Sequence, residues 1–327
     1  MKSRARRHLA GVALALGLGA ARLRAAPSAA PASSSAAASS DAEVSPDAAT
    51  VEVHGMAPTA RGLDDVHVSR AELGASPRQQ TSELLSAAPG FFVDHEDGEG
   101  LGNDVYLRGW DLEHGSGIEM TLGRVPLNAP VHILGQGYVD VNFVIPEVVR
   151  SVHVLEGPYD PRQGDAAIVG SAAFDLGAPE RGSLVGLSYG SFNQVRLVGV
   201  TAPKEGDEDT FAAFSLRRTD GFGALRSGQS GSLNAQYGFD LGRRDHVKLL
   251  ATAYSAASDL PGVVRQDDVD AGRIGYYDSY SNFARGQSIT SSRVLVAATF
   301  ERTTTNGAHA EVVPWVTFTE LRARQTF

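Results

Sequence analysis

After Pro179, apolar residues alternate with small or polar ones at period two in seven segments: 184–189, 194–202, 210–218, 232–241, 246–256, 292–301 and 309–320. Successive side chains of a strand point to opposite faces, so the pattern predicts seven antiparallel strands, each with one apolar and one polar face. Their lengths suit tilted strands of roughly 9–11 residues crossing a bilayer. Short polar connections such as Lys204-Glu205-Gly206-Asp207 and Gly242-Arg243-Arg244-Asp245 contrast with longer ones, above all 258–289. Short turns at one rim and long loops at the other are the habit of an outer-membrane barrel. A soluble β-sandwich of similar strands shares the alternation.

Upstream the pattern is mixed. Ser82 is placed to cap a short helix through Glu83, Leu84 and Leu85, which Pro89-Gly90 ends before a strand at Phe91-Phe92-Val93. An acidic loop from Asp94 to Asp104 leads to a strand at Val105-Tyr106-Leu107 and the Arg108-Gly109-Trp110 turn. Residues 118–122 and 125–127 predict a hairpin around Gly123-Arg124.

The amino end reads as export. Lys2, Arg4, Arg6 and Arg7 precede an apolar core from Leu9 to Ala21 and then small residues, the order of a secretory signal, here 1–26 with cleavage between Ala20 and Ala30. Its removal takes away six basic and no acidic residues, moving the formal charge from -9 to -15. Such an acidic protein is no nucleic-acid binder. Zero cysteines exclude thiolate zinc sites, iron–sulfur clusters and Cys nucleophiles. No apolar run is long enough for a spanning helix. Residues 27–63 form an Ala/Ser/Pro linker, too poor in large apolar groups to order, which ends in the β-prone patch Thr50-Val51-Glu52-Val53-His54-Gly55.

The run SELLSAAPGFFV, the Arg108-Gly109 turn and above all residues 125–176 resemble the plug domain of TonB-dependent outer-membrane receptors. The latter stretch holds a hairpin, a variable apex loop, the Ile145-Pro146-Glu147 turn, a Val-rich strand closing in Glu156-Gly157-Pro158, and a Gly-punctuated final strand. Gly123-Arg124 departs from the Asp-Gly more common at that turn in the family. The resemblance implies a mostly β architecture: an α+β plug at 64–179 followed by antiparallel strands of an incomplete transmembrane β-barrel at 180–327. Family barrels have 22 strands around a plugged lumen, so seven imply a fragment or truncated product. Phe327 stands where a terminal aromatic would, without the alternation that assembly signals need.

The resemblance further implies an outer-membrane protein of a Gram-negative bacterium, with plug and amino terminus toward the periplasm, importing a scarce nutrient such as a metal–siderophore complex. Its partners would be TonB with the inner-membrane energising complex, outer-membrane lipid, and a small-molecule or metal-chelate substrate. Thr50, Val51, Glu52, Val53 and His54 would form the TonB box, pairing by strand addition. Asn128, His132, Gln136 and Tyr138 fall in the apical plug loop, where polar and aromatic tips suit an oxygen-rich ligand. Tyr276, Tyr277 and Tyr280, with Phe283, crowd the long loop and are candidate ligand contacts. Arg108 either touches ligand or, with Glu156 and Arg150, makes ion pairs that lock plug to barrel.

No catalytic set, cofactor or metal site is expected. Asp94-x-Glu96-x-Gly98 misses the EF-hand spacing and predicts a solvated loop. His114, His132 and His153 lack ligand spacing, Gly115-Ser116-Gly117 is no nucleophile elbow, and the 36 glycines match no phosphate fingerprint. The alternatives are a receptor remnant without transport and an exported β-rich surface or adhesion protein.

Overall fold

The computed structural model describes residues 64–95, 98–130, 132, 135–178, 180–207, 209–280 and 285–325. The signal, the linker, Thr50 to His54, Phe283 and Phe327 lie outside them.

The first region is built on a mixed sheet. In chain order its strands are β1 (Asp65–Ser69), β5 (Ile118–Leu122), β6 (Val125–Pro126), β7 (Val149–Glu156) and β8 (Gly170–Leu176), arranged β1-β7-β8-β5-β6. Only the β5·β8 pair is parallel. A smaller antiparallel sheet joins β2 (Phe91–Asp94), β3 (Asp104–Leu107) and β4 (Trp110–Asp111). The alternation in β5 and β8 buries Ile118, Met120, Leu122, Ala172, Phe174 and Leu176 on one face. Phe143, Ile145 and Val148, from the stretch before β7, close the core over them.

Three local details depart from expectation. Residues Ser82–Ala87 form a 3-10 helix, and the hydroxyl of Ser82 does not cap it. It donates to Asn142 Oδ1 at 3.0 Å and accepts from Asn103 Nδ2, while Glu83 takes the free N–H groups of Gln79 and Gln80. Tertiary bonding wins over capping because Ser82 is buried. The acidic loop is not wholly solvated: Glu99 is buried, with Arg217 2.7 Å away as its counter-charge. Finally, Arg150 is the extra residue of a bulge between Val149 and Ser151. A bulge re-aims a side chain, and this one sends Arg150 out of the sheet to Asp209.

The second region is one antiparallel meander. Its strands are β9 (Gly182–Gly190), β10 (Gln194–Ala202), β11 (Phe211–Thr219), β12 (Gly228–Asp240), β13 (Asp245–Asp259), β14 (Ser288–Thr303), β15 (His309–Val312) and β16 (Trp315–Arg324); each of β10 to β14 pairs with the strands before and after it, β9 lies at an edge, and β16 also pairs with β14. The segment expected as one strand at 309–320 is β15 and β16. Phe300 faces Val312 and Ala297 faces Trp315, so the register is the same on both sides of Val313-Pro314. Pro314 has no N–H to donate and interrupts the ladder without shifting it. Connections 203–210, 241–244 and 304–308 lie at one rim; 191–193, 220–227 and 260–287 lie at the other.

The faces of this wall invert the usual soluble pattern. The row Asn234, Thr252, Leu295 faces inward and is buried, whereas the row Tyr237, Leu249, Ala298 faces outward with Tyr237 at 58% exposure and Leu249 at 45%. Leu216, Leu233, Val294, Val296 and Phe300 extend the exposed apolar face, and Arg196, Ser232, Gln236 and Arg293 the buried polar one. The inward face mixes these polar side chains with Val198, Phe211, Leu250 and Tyr254, while the outward face is apolar and exposed, as a wall facing hydrocarbon on one side and a filled lumen on the other requires. No helix among the described residues is long and apolar enough to cross a membrane.

Candidate functional site

The inward polar face receives the first region. Asn234 donates to the carbonyl of Phe143 at 3.0 Å and accepts the N–H of Ile145 at 2.8 Å. Arg293 donates to the carbonyls of Asp140 and Leu127, both at 3.1 Å, and its guanidinium lies over the Phe143 ring. Arg196 grips both oxygens of Glu147 at 2.6 and 2.8 Å, a bidentate pair with Arg196 buried. Ser258 donates to the carbonyl of Glu99. Arg150 meets Asp209 at 3.1 Å, and Arg124 meets Glu311 at 3.3 Å. Side chains of the wall thus supply donors to carbonyls of irregular loop backbone, which has no ladder of its own.

At the rim of the long loops, the candidate site is centred on Tyr138. The His132 ring stacks on it with centroids 3.8 Å apart and planes 6° from parallel. The Tyr138 hydroxyl accepts the N–H of Gly102 at 2.8 Å. That approach requires glycine, since a Cβ on Gly102 would stand 2.5 Å from the carbonyl oxygen of Val139. His114 completes the cluster, with its ring 5.9 Å from Tyr138 and Nδ1 3.0 Å from Asp104 and 2.8 Å from the Gly102 carbonyl. Burial lowers the pKa of His132, and the charge of His114 lowers it further. The imidazole is therefore held neutral, as a flat stacking surface with one donor and one acceptor. Tyr138 also packs with Leu101, Leu260 and Ile289, so the base of loop 260–287 rests on the apex.

The other expected residues separate. Gln136 is exposed at the same apex. The amide of Asn128 is fully engaged inside: Oδ1 accepts the N–H of Met120, and Nδ2 reaches the carbonyls of Gly115, Ile118 and Gly137. It shapes the loop from within. Arg108 and Gly109 are the central residues of a two-residue turn between β3 and β4, with φ of 51° and 80°. Both angles are positive, as a type I′ hairpin turn demands. The Arg108 guanidinium lies 3.0 Å from Asp64 and contacts Glu156, so its ion pairs join segments of the first region to one another. The expected lock between regions is made by Arg150, Glu147, Arg124 and Glu99.

In the long loop, Tyr276 and Tyr277 are exposed and pack edge to face at 5.1 Å. Tyr277 continues to Phe222 and Phe222 to Phe192, both exposed partners that sequence reasoning did not single out. Arg226 lies 5.0 Å over Phe222 and donates to the carbonyl of Tyr277 at 2.8 Å, clasping the two loops together. The available signal was positional: Phe192, Phe222 and Tyr277 each stand in a connection of the same rim. Tyr280 instead turns its hydroxyl to Asp268 in the short helix Gln266–Asp270.

Residues 61–171 match the family model of the TonB-dependent receptor plug domain. The chain carries a TonB-dependent receptor plug. Solved structures with the same fold include the ferric citrate transporter FecA in its unliganded form, at a TM-score of 0.64 and 16% identity over 80% of this chain and 40% of that one. The FpvAI–pyocin S2 complex follows at 0.60 and 17%, over 77% and 33%. The siderophore receptor PirA from Acinetobacter baumannii gives 0.55 and 14%, over 79% and 40%. This chain therefore spans well under half the length of these relatives, and at such identities the likeness is one of fold. No curated protein matches it in sequence. The strands after the plug correspond in fold to barrel wall of these structures.

Proposed function

We propose that this chain is the plug and adjoining wall of an outer-membrane importer energised through TonB, taking a small molecule or metal chelate such as a metal–siderophore complex. The observation that carries the reading is a plug domain seated on the polar face of a wall whose other face is apolar and exposed. The rim of short turns faces the periplasm with the plug's amino terminus, and the rim of long loops faces outward. Substrate meets His132, Gln136, Tyr276 and Tyr277 there, on a surface of flat rings and hydrogen-bonding tips, with Tyr138 stacked against His132 and Tyr280 fixing the loop through Asp268. Asn128 and Arg108 act through the shape of the plug. Thr50, Val51, Glu52, Val53 and His54 form the strand that TonB takes up, and pull on it remodels the plug to open a path.

The test is Val53→Pro, which removes a ladder donor from the box. Energy-dependent uptake should be lost while substrate binding at the cell surface is retained. Unchanged uptake would overturn the assignment of the box.

A further inference from the structure

The long loop 260–287 is rooted in the plug as well as in the wall. Its first root runs from Ser258, near the end of β13, to Leu260; its second runs from Gln287 to Ile289, at the start of β14. The roots are tied to each other, since the N–H of Leu260 donates to the carbonyl of Gln287 at 3.2 Å and Ser258 faces Ile289 in the ladder. We propose that Tyr138 is a positioning residue for this loop: its ring, stacked on His132 and packed with both roots, couples occupancy of the apex to the seating of the loop that carries Tyr276 and Tyr277. The inference rests on the cargo site proposed above and adds a linkage inside it.

Three kinds of contact meet at Tyr138. The His132 ring stacks on it at 3.8 Å. Leu101 of the plug and Leu260 and Ile289 of the two roots share one apolar cluster with it, with Leu321 of β16 at the margin. The hydroxyl accepts the N–H of Gly102 at 2.8 Å. All four members of the cluster are buried, so a ring withdrawn from it leaves a void between plug and loop.

The plug segment that the hydroxyl holds runs along the first root. The carbonyl of Glu99 accepts the hydroxyl of Ser258 at 2.6 Å, and its carboxylate pairs with Arg217 at 2.7 Å. The approach is close enough to need glycine: a Cβ on Gly98 would stand 2.6 Å from Ser258 Oγ, and one on Gly100, at a φ of 97°, 3.3 Å from Ala256. Segment 98–102 is therefore fixed to the root at one end and to Tyr138 at the other. A shift of the ring reaches Ser258 and Leu260 through packed and bonded neighbours, without passing through the sheets.

Root and tip hold the same neighbouring connection, 220–227. At the root, the N–H of Asp259 donates to the carbonyl of Ser227 at 2.9 Å. Further along the loop, the carbonyl of Tyr277 accepts the N–H of Ala224 at 3.3 Å and the guanidinium of Arg226 at 2.8 Å. A loop lifted at its root thus loosens its hold at Tyr277. A ligand that binds better with the ring seated orders the loop, and a seated loop favours that ligand by the same factor.

Amide hydrogen exchange of the chain folded in detergent reads this seating and needs no cargo. The amides of Leu260 and Ala224 report root and tip, since they are bonded to the carbonyls of Gln287 and Tyr277. Tyr138→Leu, which fills space but loses the flat ring and the acceptor, should raise exchange at both by about tenfold, and His132→Ala should raise both in the same direction. Tyr138→Phe keeps the ring: Leu260 and Ala224 should stay as in the parent while the Gly102 amide, its acceptor gone, exchanges faster. Unchanged exchange in β7 and β12 shows that each variant has folded. Parent-like exchange at Ala224 in Tyr138→Leu, no effect of His132→Ala at either amide, or a rise in Tyr138→Phe equal to that of Tyr138→Leu would each overturn the coupling. Those outcomes leave the importer reading standing, because that reading fails only on uptake.

Discussion

His132 shows how a single residue at the apex acquires its chemistry from its surroundings. Burial against Tyr138 and the neighbouring His114 depress its pKa, so the folded protein binds this proton less readily than the unfolded chain. Stability from the stack is then fully present above the ordinary imidazole value and is lost as pH falls through the depressed one. Denaturant midpoints of the parent and of His132→Phe, compared at about pH 8 and about pH 5, should diverge, the parent losing more on acidification. A pH-independent difference would count against a neutral stacked imidazole. Residues of this kind were half legible in the sequence. The aromatic and polar tips at 128–138 and 276–280 marked a loop rich in contacts, but loop position alone does not say which way a side chain turns. Asn128 turned inward because four backbone groups of a tight loop needed it. Arg108 found carboxylates within its own domain because Asp64 and Glu156 sit beside its turn.

Among elements, the turn at Pro146-Glu147-Val148 joins plug to wall through a buried ion pair. Its Glu147 lies in a bidentate pair with Arg196 on β10, and the Arg196 side chain is only 8% exposed. Glu147→Ala leaves that guanidinium buried without a counter-charge, which should cost on the order of 3 kcal/mol in denaturant unfolding. Replacing both partners with Met should recover most of the loss; an equal loss in the double variant would show that the pair acts through packing alone. Elements were the most legible scale, because period two is a strong signal where one face is apolar and the other polar. The boundaries fell short in β12 and β14, where Gly228, Ser230 and Ser291 carry little hydrophobic contrast yet stay in the ladder. The bulge at Arg150 had no sequence signal, since an extra residue in a Val-rich strand leaves the composition unchanged.

For the whole molecule, the inverted wall is a statement about solvent. Val294→Lys, in the middle of the outward face of β14, should cost about 2–4 kcal/mol in bilayer-reconstituted protein, and Thr201→Lys, near the end of β10, about 0–1 kcal/mol. Equal costs at both depths would mean that this face does not meet lipid. The same inversion governs the seam with the plug. Wall side chains bonded to plug carbonyls or carboxylates cross it, as with Asn234, Arg293 and Arg196, beside an apolar patch where Val198, Phe211, Leu250, Tyr254 and Leu295 of the wall join the plug's core. Water can replace each of those donors and acceptors at small net change. The seam is thus a slip plane with one sticking point: over its polar part a pull from below meets hydrogen bonds that hydration can take over one at a time, and the resistance is concentrated where Val198, Phe211, Leu250 and Leu295 share the plug's apolar core.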